Sequence, residues 1–208
     1  MASFISTAGV VVWVVIMILF SLANAVSSPS STDEGEALRS TGWWNSTSAH
    51  FTWDGVVCNE RGSVTEIHLS YSGKKSGELS KLKFSSFPSL VGLFLSNCGL
   101  NGSIPHQIGT LTQLTYFILP QNNLIGELPL SLANLTQLKY LFLHSNWLHG
   151  SIPPEIWKMK NLNILYLHYN NLASVIVGPR LNTYAEYIFL DCWNTFYWWR
   201  VLNLYMSL

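Results

Sequence analysis

Residues Leu90 to Leu172, LVGLFLSNCGLNGSIPHQIGTLTQLTYFILPQNNLIGELPLSLANLTQLKYLFLHSNWLHGSIPPEIWKMKNLNILYLHYNNL, decide the fold. Slid along itself until Leu90 meets Leu114, the stretch also superimposes Leu114 on Leu138 and Leu138 on Leu162. Each unit reads L-x-x-L-x-L-x-x-N-x-L-x-G-x-I-P. Leu93, Leu95, Cys98, Leu100, Gly102, Ile104 and Pro105 continue the first copy, and Phe117, Leu119, Asn122, Leu124, Gly126, Leu128 and Pro129 the second. Leu141, Leu143, Asn146, Leu148, Gly150, Ile152 and Pro153 continue the third, and a fourth runs through Leu165, Leu167, Asn170 and Leu172 before losing register. The L-x-L pair has the period of two of a short strand with one buried face. The Asn that follows is expected to point inward and bond backbone groups of its own and neighbouring turns, so that Asn122, Asn146 and Asn170, with Cys98 in the same column, form a ladder. Gly permits the chain to turn, and Ile/Leu-Pro fixes an extended segment on the opposite side. One unit cannot bury its own leucines, but stacked units can, which predicts an α/β solenoid with a short parallel sheet along its concave side. The competing reading, a leucine-rich helical bundle, would need apolar residues at i, i+3, i+4 and i+7 without the recurring Pro and Gly, and is disfavoured.

Working outward, Val64, Ile67 and Leu69 open an irregular first unit that is slightly longer than the others and ends at Phe84 and Phe87. The excess is assigned to a loop at Tyr71 to Lys75. Before it, Asp33 to Ser40 reads as a short helix with Asp33, Glu34 and Glu36 in its first turn and Arg39 near its end. Trp43, Trp44 and Trp53 lie in a segment too short for its own core, and are expected to cover the open end of the solenoid. Residues 1 to 32 contain no charged residue, and the apolar run Ala8 to Phe20 followed by Ala23-Asn24-Ala25 resembles a secretory signal peptide cut after Ala25. The segment before the run lacks Lys and Arg, so a retained anchor is the alternative. The organisation is thus signal peptide 1–25, N-terminal cap 26–62, about four and a half repeats over 63–177, and an aromatic-rich, off-pattern tail 178–208. In the last unit Ser174, Val177 and Arg180 stand where Gly, Pro and an inward Leu belong. Two readings of the tail stand side by side: a helix closing the last unit, or a sequence never selected to fold there, as in a truncated product.

Eleven acidic and eleven basic residues cancel, which gives no reason to expect nucleic acid or an anionic membrane as partner. The sequons at Asn45, Asn101 and Asn134 fit export and are candidate glycosylation sites. Side chains between the strand leucines define the candidate binding face. His68, Phe94, Ile118, Phe142 and Tyr166 share one column, with Tyr140, His144 and His168 beside them. An aromatic strip there can anchor a peptide or protein, and aromatics placed only for strand pairing are the plain alternative. No catalytic residue, cofactor or metal is expected: kinase, G-x-S-x-G and H-E-x-x-H motifs are absent, and His144 with His168 lack a third ligand.

The order of signal peptide, acidic helix, Trp43-Trp44, Trp53-Asp54-Gly55-Val56-Val57-Cys58 and regular L-x-G-x-I-P units resembles the start of plant leucine-rich-repeat receptor-like kinases and receptor-like proteins. The resemblance covers roughly Asp33 to Leu172. It implies a right-handed leucine-rich-repeat superhelix with an N-terminal helical cap, and an extracellular, cell-surface or secreted module of signalling or defence. Such a module binds a peptide, a protein, a cell-wall fragment or a co-receptor. It also brings two rivals: a secreted inhibitor of a cell-wall-degrading hydrolase, similar to polygalacturonase-inhibiting proteins, and a non-functional truncated receptor product. The family's cap usually reads C-x-W-x-G-V-x-C with its cysteines joined, whereas here Phe51 occupies the first position, which leaves Cys58 without the expected partner. Cys58 and Cys98 are both expected to be free thiols, with Cys192 in the tail.

Overall fold

The computed structural model describes residues 31–44, 52–69, 77–173 and 187–189. The signal segment, Asn45, Phe51, the loop at 71–75 and Cys192 lie outside the described residues. The chain opens with helix α1 (Ser31–Ser40) and the strands β1 (Val56–Cys58) and β2 (Val64–Leu69), followed by β3 (Gly77–Glu78). Two strands per coil then alternate: β4 (Gly92–Leu95) and β5 (Leu100–Ser103), β6 (Tyr116–Ile118) and β7 (Asn123–Gly126), β8 (Tyr140–Phe142) and β9 (Trp147–Ser151), β10 (Ile164–Tyr166) and β11 (Asn171–Ala173). A last strand, β12 (Tyr187–Phe189), pairs in parallel with β10, so a short piece of the off-pattern tail extends the concave sheet.

The concave sheet has the order β1-β2-β4-β6-β8-β10-β12 and is parallel after an antiparallel start at β1. Glu66 pairs with Gly92, Gly92 with Tyr116, Tyr116 with Tyr140 and Tyr140 with Ile164. The first of these steps is longer than the later ones, which are all equal, as the repeat lengths require. A second parallel sheet, β11-β9-β7-β5-β3, runs along the flank where the repeat pattern predicts only extended chain. The convex side is built from short 3-10 turns at His106–Thr110, Leu130–Asn134 and Ile156–Lys158. The first two start directly after Pro105 and Pro129, whose fixed φ suits the entry to a turn, and such short segments cannot sustain an α-helix.

The leucines fill the slab between the sheets. Leu90, Leu93, Leu95, Leu100, Leu114, Leu119, Leu124, Leu138, Leu141, Leu143 and Leu148 are completely buried. Each contributes roughly 1.5 to 3 kcal/mol by leaving water, and none could do so in an isolated unit. Polar backbone trapped at the bend after each concave strand is satisfied by the ladder. Asn122 Oδ1 accepts from the N–H groups of Cys98 (2.9 Å) and Leu100 (3.0 Å), while its amide nitrogen donates to the carbonyls of Leu95 (2.7 Å) and Leu119 (3.2 Å). Asn146 accepts from Leu124 N–H and donates to Leu119 and Leu143 carbonyls, and Asn170 does the same with Leu148, Leu143 and Leu167. At Cys98 the thiol donates to Leu69 O, 3.2 Å away. Each rung reaches back to the end of the preceding concave strand, and Cys98 spans slightly more chain than Asn122 or Asn146 because the first unit is longer. Gly102, Gly126 and Gly150 turn the chain with φ of 74°, 83° and 79°, a region costly for any residue with a Cβ.

The cap closes the N-terminal end. Ala37 and Leu38 of α1 are buried with Trp43, Trp44 and Trp53. Trp44 stacks on Trp53 at 6.0 Å between ring centroids and donates its indole N–H to Asp54 O at 3.0 Å, and the Arg39 guanidinium lies 5.2 Å from the Trp53 ring centre. Glu34, read from the sequence as one of the helix's first-turn acids, is only 1% exposed, and its Oε2 accepts from Val64 N–H at 3.0 Å. Burial pushes its carboxyl above the ordinary 4.5, against the opposing pull of that N–H. Cys58 and Cys98 form no disulfide with each other, and burial followed by the charge of Glu34 raises the Cys58 thiol.

Candidate functional site

Inward residues alternate with outward ones along each concave strand, so Leu93, Phe117, Leu141 and Leu165 are buried while the positions on either side turn to the open face. Those outward positions are dense in rings. His68 stacks on Phe94 (4.4 Å between centroids, 13° between planes), and Phe94 meets Tyr116 at 5.7 Å. Tyr116 stacks on Tyr140 at 5.0 Å and 3°, Tyr140 meets Phe142 edge to face at 6.3 Å, and Phe142 stacks on Tyr166 at 4.4 Å. Beside them His144 stacks on His168 at 4.5 Å and touches the Tyr166 ring edge-on at 5.8 Å. The result is a band of aromatic contacts running from β2 across β4, β6 and β8 to β10.

The band does not keep to the single column His68, Phe94, Ile118, Phe142 and Tyr166. Ile118 interrupts that column, and the rings pass around it through Tyr116 and Tyr140. Gly92 makes the detour possible. It occupies the repeat position of Tyr116 and Tyr140, and a Cβ built on it would come within 2.4 Å of the Phe94 ring. The Phe94 ring therefore fills the space left by the missing side chain. Tyr116 is not among the candidate residues of the sequence, although its one-repeat relation to Tyr140 could have found it.

At the N-terminal end of this face Glu66 Oε2 lies 2.6 Å from His68 Nε2. At the other end the His144 imidazole is held below its ordinary 6.5, first by burial and then by the neighbouring His168. His144 Nδ1 is buried without a hydrogen-bond partner among the described residues. Face-to-face imidazoles point their nitrogen lone pairs side by side rather than at one point, and among the described residues no three His, Cys, Asp or Glu side chains gather into a metal site. Of the candidate glycosylation sites, Asn101 is exposed on β5, and Asn134 is exposed at the end of the convex 3-10 turn Leu130–Asn134. No helix among the described residues is long and apolar enough to cross a membrane.

Stacked parallel coils, an inward Asn ladder and a capped first coil define a leucine-rich-repeat solenoid. Residues 89–111 and 137–159 match the Leucine Rich Repeat family. The chain is similar to plant receptor kinases: over 90 residues it is 40% identical to the leucine-rich repeat receptor-like serine/threonine-protein kinase RGI4 of Arabidopsis thaliana. That match takes in 43% of this chain but only 8% of the kinase. Among solved structures, the plant peptide hormone receptor RGFR1, in complex with RGF2, is 38% identical with a TM-score of 0.52, covering 59% of this chain and 18% of the receptor. A chain of the BIR3–SERK2 complex from Arabidopsis thaliana is 29% identical with a TM-score of 0.57, covering 70% of this chain and 80% of that one.

Proposed function

We propose that this chain is an extracellular, non-enzymatic recognition module whose concave sheet binds an extended peptide or protein segment. The observation that carries the reading is the ring band from His68 to Tyr166. Its side chains are held by stacking on their neighbours, so little rotamer entropy is lost when a ligand docks, and aromatic anchors of this kind dominate binding energy in peptide and protein interfaces. The complex of RGFR1 with RGF2 supports a peptide as the ligand class. Exposed Asn101 and Asn134 within sequons support passage through the secretory route, where a glycan at each would leave the concave face uncovered.

Peptides selected from a random display library against the full chain test the reading. Selected peptides are expected to lose about tenfold or more in affinity with Tyr140→Ala or Tyr166→Ala, an effect worth about 1.4 kcal/mol. Binding that survives both substitutions together would place the ligand elsewhere and sink the proposal.

A further inference from the structure

We infer that the flank sheet carries a second recognition site, for a neutral, extended, β-linked glycan, centred on Ile125, Trp147 and Tyr169. In the flank sheet Ser103 pairs with Ile125 and Ile125 with Trp147, while Asn146 N–H donates to Tyr169 O on the following coil. These three residues occupy three different positions of the repeat, and a step between flank strands that is shorter than the repeat brings them into one row. They are 52%, 67% and 55% exposed, and few large apolar side chains among the described residues are so open to solvent. Their buried neighbours Leu124 and Leu148 fix the row on the outer side of the sheet. Tyr169, held at φ 54° where Asn97, Gln121 and Ser145 stand in other coils, is at the corner between this row and the concave band, edge-on to His168 at 5.1 Å.

The shape and chemistry of the row select the ligand. It is one residue wide and crosses three coils, with exposed Asn123 on one side and the paired His149 and Asn171 on the other. A protein partner needs a broad apolar centre within roughly 800 Å² of surface on each side, which a single file of residues does not offer. A linear polymer suits it: neighbouring strands are about 4.8 Å apart, close to the length of one pyranose unit, so sugar and coil can keep step. Ring faces cover the C–H faces of the sugars, and the flanking amides and imidazole bond their hydroxyls. Charge excludes acidic polymers. The flank strands contain no Lys or Arg, Glu78 lies on β3, and Glu127 leans over Gly150, where an added Cβ would come 2.7 Å from its Cγ. A uronate chain would meet carboxylates with no Lys or Arg on these strands to offset them.

The site stands apart from the concave one, and calorimetry on the full chain separates them. A β-1,4-linked glucose hexamer is expected to bind, with affinity falling about tenfold or more in Trp147→Ala and in Tyr169→Ala. Tyr166→Ala on the concave face should leave it unchanged, and a galacturonate oligomer should not bind. Trp147 is too exposed for its loss to threaten folding, which an unchanged urea midpoint would verify. Three results would overturn the inference: no binding of the glucose, xylose or mannose β-1,4 hexamers, affinity unaltered in the Trp147→Ala, Tyr169→Ala double variant, or self-association abolished by Trp147→Ala, which would make the row a contact between copies of this chain.

Discussion

The central coils and the capped first coil solve the same problem with different chemistry. In the centre, Asn122 and Asn146 each supply an acceptor and a donor to backbone from two coils, so successive rungs share one pattern and each coil holds the next. At the first coil, Cys98 offers a thiol in place of an amide, donating weakly to Leu69 O and Ser96 O, and the work of closing the end passes to Glu34 and three tryptophans. A repeat can use one optimised side chain wherever its neighbours repeat as well. Its end has no such neighbour, and has to be closed with individual contacts.

The largest test of this contrast is Asn146→Ala, which strands Leu124 N–H inside the slab and leaves the carbonyls of Leu119 and Leu143 with one amide donor each, from Asn122 and Asn170. One stranded group at about 1 to 3 kcal/mol, together with the two lost second bonds, should cost about 2 kcal/mol or more in urea unfolding. Cys98→Ala loses only weak thiol bonds and should cost about 1 kcal/mol. Equal losses would break the comparison. Smaller and opposite in sign, Cys98→Asn should stabilise by up to about 1 kcal/mol if the longer first coil accepts a normal rung, with destabilisation marking that rung as fitted to a thiol.

Acidity should act on the two regions in opposite directions. The raised carboxyl of Glu34 means that the folded chain binds this proton more tightly than the unfolded chain. Its contribution is full below about 4.5 and is lost as pH rises through the higher folded value. Thermal melting of Glu34→Gln should therefore gain on the parent as pH rises from about 4 to about 7. The lowered imidazole of His144 gives the reverse: stability present above about 6.5 is lost as pH falls through the lower folded value, and His144→Gln should flatten that loss. Parallel curves for parent and variant would remove the electrostatic part of the contrast in either region.

Much of this was legible along the chain. The leucine spacing gave the coils, the residue after each strand gave the ladder, and the aromatic columns gave most of the concave band. Glu34 was not legible, because an acid near a helix start serves the helix dipole equally well whether it faces water or turns inward. The path of the rings around Ile118 was missed because it depends on where the Phe94 ring leans, which the absence of a side chain at Gly92 decides.

By itself, the sequence determined the period, and through it which residues are buried, since leucines that return once per repeat can leave water only by stacking on their counterparts. Only the tertiary structure decided how the flank strands are offset. Side chains alternate along a strand with a period of two, so an even stagger keeps every outward residue outward and leaves no mark on the apolar pattern. That silent stagger aligns Ile125 with Trp147 and brings Tyr169 alongside, three residues that no comparison of repeats would have set side by side.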